Sequence, residues 1–166
     1  MIDSNRKTIE RLKRRYSRMC SRKPKDVREC YEFQKSRGMQ GWEIFIVPES
    51  MFSEEVLSMI SQDDVVFDVG AGDLRFDIML SEKAKKVYAV EINPEFLGGA
   101  LKIIGYDLPG NVVPICGNAL EMELPSDTTV VTCLMIHRQH EFPDHWKRCR
   151  IIYAAQDGVK ECGGSA

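Results

Sequence analysis

The sequence lacks the features of several specialised protein classes. None of its six cysteines belongs to a CxxC pair, and no spacing among them matches a zinc pattern, so we expect reduced thiols and no metal site. No apolar run approaches the ~20 residues that a membrane-spanning helix needs. The amino terminus is charged, whereas a secretory signal would be apolar there. These absences favour a cytoplasmic protein with no membrane contact.

The net charge of −2 conceals an uneven distribution of charge. Residues 1–37 hold 13 Lys and Arg against 5 Asp and Glu, whereas the remaining residues hold 10 against 20. A basic arm on an acidic body is typical of proteins that bind polyanions, so the arm is a candidate for contact with RNA. The alternative is that the arm packs against the acidic body of its own chain. The sequence leaves both interpretations open.

The chain is long enough for one domain with a hydrophobic core. Apolar residues at helical spacing predict an amphipathic helix over residues 2–20, and a second helix is predicted over residues 26–36. Beyond residue 64 short strands alternate with helices, which indicates right-handed crossovers and a parallel α/β sheet of about five strands with flanking helices. We therefore expect a basic helical extension over residues 1–41 and an α/β domain over residues 42–166. The predicted strands cover residues 65–69, 86–90, 112–116, 129–136 and 150–155, with an edge strand at 43–47.

The segment 65–75 (VVFDVGAGDLR) joins an apolar strand to a helix through a loop with two glycines. Gly70 permits a sharp turn, and Gly72 lets a ligand lie against bare backbone. Glu91 ends the next strand, 19 residues beyond Gly72. In a doubly wound sheet that position lies beside the first loop, where a carboxylate accepts hydrogen bonds from both hydroxyls of a ribose. Loop and acid together predict an adenosine-containing ligand.

A dinucleotide is the main competing ligand. Its fingerprint requires a third glycine three residues after Gly72, where this chain has Arg75. Asp73 also places a carboxylate where a diphosphate would lie. These two residues favour a ligand that carries an ammonium and a sulfonium group over NAD.

Residues 68–73 (DVGAGD) and 90–95 (VEINPE) resemble the first two motifs of the class I S-adenosylmethionine-dependent methyltransferases, which have a Rossmann-like fold. The resemblance covers about residues 48–136 and implies S-adenosylmethionine as cofactor. It places Asp68 and the glycine loop around the methionine end, Glu91 on the ribose, Ile92 on one adenine face and residues 117–119 at the adenine edge. Residues 45–50 (FIVPES) are similar to a small prokaryotic subset that resembles Rossmann-type protein-lysine methyltransferases. The implied cofactor-binding residues are Asp68, Gly70, Ala71, Gly72, Asp73, Glu91, Ile92, Asn118 and Ala119.

Two features depart from the family pattern. The Asn/Asp-Pro-Pro-Tyr/Phe motif that holds an amino group for methylation is absent after the fourth strand, which leaves His137 as the one weak candidate for a catalytic base. We favour the alternative that His137 is a strand-end histidine with no proton to move. The chain also ends soon after the fifth strand, so we expect no antiparallel hairpin there. Residues 43–47, the N-terminal helices or a second subunit in a homodimer would then cover the exposed edge.

The leading hypothesis is an S-adenosylmethionine-dependent methyltransferase that acts on a protein or RNA acceptor. A catalytically silent module that binds S-adenosylmethionine is the alternative, because the fourth-strand motif is absent and the sheet is short. An NAD-type nucleotide-binding oxidoreductase is the third hypothesis, and Asp73 and Arg75 disfavour it.

Overall fold

The computed structural model describes residues 2–16, 53–134, 142–155 and 158–164. The predicted helix over residues 26–36 and the predicted strand at 43–47 lie outside them. Within the described residues no helix is both long and apolar enough to cross a membrane. The helices are α1 (Ile2–Tyr16), α2 (Ser53–Met59), α3 (Arg75–Leu80) and α4 (Pro94–Ile104), and the strands are β1 (Val65–Val69), β2 (Lys86–Glu91), β3 (Val112–Cys116), β4 (Val130–Cys133), β5 (Arg150–Ala155) and β6 (Gly158–Gly163).

The six strands form one sheet in the order β3-β2-β1-β4-β5-β6. Strands β1 to β5 are parallel to one another, which confirms the predicted α/β class. The chain leaves β1 toward β2 on one side and returns to β4 on the other, so the strand order reverses beside β1. Ligands of doubly wound sheets bind at such a switch point, outside the carboxyl ends of the strands. The predicted glycine loop and Glu91 both lie at this end.

The expectation that no hairpin follows β5 is wrong. Strand β6 pairs antiparallel with β5 along its whole length, from Arg150 opposite Gly163 to Ala155 opposite Gly158. The reason is local, because Asp-Gly between two extended runs is a strong hairpin signal and residues 157–158 carry it. The edge of β5 is thus covered by the same chain, so the hypothesis that residues 43–47, the N-terminal helices or a second subunit cover it is also wrong.

The two faces of the sheet are covered differently. All four described helices pack on one face, around a cluster that includes Val66, Ala89 and Ile152. The other face carries Phe67 and Val131, and its cover comes from short 3-10 turns. Trp146, in the turn Asp144–Trp146, is completely buried there and lies 6.4 Å from the ring of Phe67. A single large aromatic side chain therefore closes the centre of a face that has no described helix.

Helix α1 is an integral part of the domain. Thr8 and Leu12 are completely buried, and the helix packs against α3 and α4. Asn5 donates a hydrogen bond to Glu82 at 3.0 Å, and Arg11 forms an ion pair with Asp107. Within residues 2–16 the basic arm therefore packs against its own acidic body, while the rest of the arm and the domain boundary at residue 41 lie outside the described residues.

The residue that leads into α3 has an unusual backbone conformation. Leu74 has φ 65° and ψ 5°, the left-handed region, and it is the one described non-glycine residue with positive φ. This conformation costs an L-residue roughly 1–2 kcal/mol. The side chain is nevertheless completely buried in the helical face of the core. Burial of the leucine therefore outweighs the strain of its backbone.

This balance predicts an inverted order of stability for two variants. Leu74→Ala loses the buried side chain and keeps the strain, whereas Leu74→Gly loses the same side chain and relieves the strain. We expect the Gly variant to exceed the Ala variant in free energy of unfolding by about 1 kcal/mol, measured by urea denaturation. Leu80, equally buried at the end of α3, is the matched control, and there Ala should exceed Gly by about 1 kcal/mol. The same order of stability at both positions would contradict the conclusion that the backbone of Leu74 is strained.

Candidate functional site

The loop between β1 and α3 folds over the carboxyl end of β2. The backbone N–H groups of Gly70 and Ala71 both donate to the carbonyl of Val90, each at 2.9 Å. Gly70 and Gly72 have φ values of 81° and 60°, so both positions need the freedom of glycine. A Cβ at Gly72 would meet the Phe96 ring at an ordinary 3.5 Å. Backbone conformation, and not crowding, is therefore what selects glycine at Gly72.

Glu91 joins this loop to the start of α4. Its Oε2 accepts the N–H of Gly72 and its Oε1 accepts the N–H of Asn93, each at 2.8 Å. The Asn93 side chain in turn caps α4, because its Oδ1 accepts from Glu95 N and Phe96 N. The structure thus brings Glu91 and the glycine loop together, as their spacing predicts. Each carboxylate oxygen keeps a lone pair that a ligand hydroxyl can use.

Asp73 and Arg75 form a buried ion pair. The Arg75 Nε donates to both carboxylate oxygens of Asp73, at 2.9 and 2.8 Å, and the backbone N–H of Arg75 donates to the same carboxylate at 3.2 Å. The Arg75 side chain is 11% exposed and the Asp73 side chain is 4% exposed. The carboxylate of Asp73 is therefore neutralised within the chain and is not a free negative charge facing a ligand. The sequence argument for a cationic ligand used the negative charge of Asp73. Because Arg75 neutralises that charge, the preference needs a different physical reason.

Asp68 lies at the end of β1 and is buried. Its carboxylate accepts a hydrogen bond from the hydroxyl of Thr132 on β4, the neighbouring strand across the switch point. Burial raises the pKa of Asp68 to about 6, and the charge of Glu91 adds to this, while hydrogen bonds from Thr132 and Asp77 act in the opposite direction. At neutral pH Asp68 is therefore ionised and held in place by its neighbours.

Asp77 is a residue of the site that the sequence interpretation missed. It lies in α3, is completely buried, and has no hydrogen-bond donor to either carboxyl oxygen among the described residues. Burial raises its pKa well above the ordinary 3.8, and the negative charge of Asp68 raises it further. The available signal was a single acidic residue inside the apolar run of residues 76–80. The pKa values of Asp68 and Asp77 each respond to the other acid, so the two carboxyl groups are near neighbours.

The predicted adenine-contacting residues differ in their surroundings. Ile92 is 52% exposed, which is unusual for a large aliphatic side chain directly after a buried strand residue, and Leu120 is 48% exposed. Ala119 is buried. The Asn118 side chain is used locally, because its Oδ1 accepts the N–H of Leu120 at 3.2 Å and its Nδ2 donates to Glu121 at 2.8 Å. Contact of Asn118 with an adenine edge would compete with these bonds.

The candidate base His137 lies outside the described residues, so its role stays a prediction. Strand β4 ends at Cys133, and residues 135–141, which follow soon after it, lie outside the described residues. In the part of the chain that the structure describes, no group of three His, Cys, Asp or Glu side chains could hold a metal ion.

Comparison with known proteins finds methyltransferases among the relatives of this chain. No family model matches the chain. It is 35% identical over 94 residues to the tRNA (guanine(37)-N(1))-methyltransferase Trm5b of Pyrococcus abyssi, a match that covers 57% of this chain and 28% of that protein. It is also 35% identical over 88 residues to a protein-lysine N-methyltransferase of Saccharolobus islandicus, with 51% and 54% covered. The chain thus spans between about a quarter and about half of the length of these curated relatives.

Two proteins solved with AdoMet or S-adenosyl-L-homocysteine share the fold. TYW2 of M. jannaschii, solved with AdoMet, has a TM-score of 0.56 at 24% identity and covers 68% of this chain and 57% of its own. An RNA methyltransferase of Salinibacter ruber, solved with S-adenosyl-L-homocysteine, has a TM-score of 0.55 at 21% identity, with 66% and 76% covered. The described domain has the Rossmann-like fold of the class I S-adenosylmethionine-dependent methyltransferases, and the chain is similar in sequence to members of that family.

Proposed function

We propose that the protein is an S-adenosylmethionine-dependent methyltransferase with a protein or RNA acceptor. One observation carries the proposal: the carboxylate at the end of β2 is hydrogen-bonded to the glycine loop after β1 at the switch point of the sheet. A ribose bound at Glu91 would therefore lie against that loop. The curated relatives, both methyltransferases, support the same conclusion.

The residues at this switch point fit S-adenosylmethionine. The buried, ionised Asp68 offers a charge for the ammonium group, the lone pairs of Glu91 suit a ribose diol, and the exposed Ile92 offers an apolar surface for adenine. Gly70, Ala71, Gly72 and Asp73 shape the loop around the methionine end, and Asn118 and Ala119 border the adenine. When bound, S-adenosylmethionine would supply an electrophilic methyl group: a lone pair of the acceptor would bond to the methyl carbon while the carbon–sulfur bond breaks and S-adenosylhomocysteine leaves. The chain itself binds and orients the reacting groups and excludes water from them.

The backbone donors of the loop argue against a dinucleotide. A diphosphate binds to free N–H groups at a glycine loop and helix start. Here the N–H of Gly72 is already donated to Glu91, and the N–H of Arg75 is donated to Asp73. A diphosphate at this loop would have to displace two carboxylates from their donors. The internal hydrogen bonds therefore favour S-adenosylmethionine over NAD.

The acceptor is the finer part of the proposal. The two curated relatives described above are a tRNA methyltransferase and a protein-lysine methyltransferase, so RNA and protein are the acceptor classes to test. The outer side of α1 exposes Arg6, Lys7 and Arg14, which favours RNA through charge complementarity. Lys7 is already paired with Asp3, which reduces that attraction.

The first prediction concerns ligand choice. Isothermal titration calorimetry should show binding of S-adenosylmethionine and S-adenosylhomocysteine and no binding of NAD, because the loop donors are occupied and Asp68 is anionic. Transfer of labelled methyl from S-adenosylmethionine to cellular RNA or protein fractions then tests catalysis. Binding without transfer to any fraction would support the silent module, and NAD binding with no response to the other two would overturn the proposal.

The second prediction concerns Glu91. Glu91→Ala removes the ribose acceptor and frees the Gly72 N–H, so we expect the affinity for S-adenosylmethionine to weaken by about 1.5–3 kcal/mol, the value of hydrogen bonds to a charged group. Glu54→Ala, the same change at an exposed residue of α2, is the control and should bind like the wild type. Equal affinity of both variants in calorimetry would contradict the role of Glu91.

The third prediction concerns the acceptor. Deletion of residues 1–37 would remove the buried Thr8 and Leu12, so charge reversal is the cleaner test. If the acceptor is RNA, Arg6→Glu combined with Arg14→Glu should weaken RNA affinity and reduce the slope of log affinity against log salt by roughly 1–2. Affinity for S-adenosylmethionine, measured on the same preparation, should not change. An unaltered salt slope with full methyl transfer would indicate a protein acceptor or a different RNA surface.

A further inference from the structure

Four acidic side chains surround the glycine loop, and the proposed binding site accounts for three of them. Glu91 holds the backbone of Gly72 and Asn93, and Asp73 is paired with Arg75. Asp68 is held by Thr132 and faces the proposed ammonium position. The fourth, Asp77, is as deeply buried as any core residue, and no hydrogen-bond donor to it lies among the described residues. A buried acid without a partner requires an explanation.

The protonation of Asp77 follows from its surroundings. An ionised carboxylate with no hydrogen-bond donor in the protein interior is so unfavourable that such a group takes up a proton instead. The negative charges of Asp68 and Asp73 raise the pKa of Asp77, and the guanidinium group of Arg75 is engaged with Asp73. Burial and these two negative charges therefore favour the neutral form of Asp77.

A neutral Asp77 has one O–H group, and the structure offers it an acceptor. Asp68 on β1 and Asp77 on α3 are both buried, and a side-chain hydrogen bond between them contributes to the pKa of each. Two ionised carboxylates could not form that bond, because neither has a donor, and no other described residue donates to Asp77. With the proton on Asp77, its oxygen is satisfied and Asp68 receives two hydrogen bonds, from Thr132 and from Asp77. The pair then carries a single negative charge, on Asp68.

We propose that Asp77 is a positioning residue of the cofactor site: its neutral carboxyl group donates a hydrogen bond to Asp68 and holds that carboxylate toward the ammonium group of S-adenosylmethionine. The inference rests on the proposed function for its ligand, but the proton itself is a property of the unliganded chain. Asp77 lies in α3, and it acts through Asp68. Asp68 therefore faces the ligand with a defined orientation and as a single charge.

The binding test compares two variants of Asp77. Asp77→Asn keeps a donor for Asp68, so its affinity for S-adenosylmethionine should stay within about twofold of the wild type. Asp77→Leu has a similar size and no donor, so its affinity should fall about tenfold, the low end for one hydrogen bond to a charged group. The wild-type affinity should itself fall as the pH drops through about 6, because protonated Asp68 no longer attracts an ammonium group. In Asp77→Leu this midpoint should move upward, which a purely structural role would not cause.

A second measurement needs no ligand. Burial and neighbouring charge raise the pKa of Asp77 in the folded chain above its unfolded value, so the folded state binds the extra proton and the stability that Asp77 contributes is lost as pH rises through that folded pKa. The melting temperature of Asp77→Asn relative to the wild type should therefore increase with pH above about 4. The carboxyl carbon of Asp77 should also have the NMR chemical shift of a protonated acid at neutral pH.

The outcomes separate this inference from the proposed function. An ionised Asp77 at neutral pH, or Asn and Leu variants with the same affinity and the same pH midpoint, would overturn the inference and leave S-adenosylmethionine binding untouched. Absence of S-adenosylmethionine binding by the wild type would overturn the proposed function, and with it the positioning role. A protonated Asp77 together with a weakened Leu variant and a normal Asn variant supports both.

Discussion

The carboxylate of Glu91 is the interaction on which the geometry of the site depends. It accepts one backbone N–H from the loop after β1 and another from the residue that caps α4, both at 2.8 Å. Two adjacent crossovers of the sheet are thereby connected through one buried side chain. Because Gly72 and Asn93 are held by the same group, the glycine loop, the end of β2 and the start of α4 keep a fixed relative position. A ligand that binds the remaining lone pairs of Glu91 meets a surface that is already organised.

Four acidic side chains are buried near this connection, and each of them is stabilised in a different way. Glu91 is satisfied by backbone N–H groups, and Asp73 by a guanidinium group held in bidentate contact. Asp68 receives a hydroxyl from Thr132, and Asp77 is best satisfied by remaining neutral. In the proposed complex Asp68 meets the ammonium group of the ligand, and Glu91 meets the ribose hydroxyls. One ionised acid at the ammonium position matches the single positive charge of that group.

The sequence was sufficient for the part of the fold that local patterns determine. The bounds of β1, β3 and β5 agree with the predictions, because short apolar strands are strong local signals. It was also sufficient for the proximity of Glu91 and Gly72, since parallel strands bring their carboxyl ends together. The β5–β6 hairpin was not predicted because residues 158–163 form a short segment with few apolar residues, although the Asp-Gly dipeptide at its start is a turn signal.

What the sequence could not provide were the partners of individual side chains. The pairing of Asp73 with Arg75 over two residues of chain depends on the left-handed turn at Leu74, and a leucine gives no indication of such a conformation. The burial of Asp77 depends on which face of the short helix α3 meets the sheet. The sequence therefore predicted where the glycine loop lies in the fold, and the structure was needed for the partners of its side chains.

The preference for S-adenosylmethionine over a dinucleotide shows how this matters. From the sequence, the argument depended on the negative charge of Asp73, and that charge is cancelled by Arg75. The proposed preference now rests on a different reason, since the same carboxylate occupies the N–H of Arg75, and Glu91 occupies that of Gly72. A phosphate would need those donors, whereas an ammonium group needs an acceptor, and Asp68 is the acceptor proposed for it. Ligand selection at this loop is thus a matter of which hydrogen-bonding groups the chain has already used.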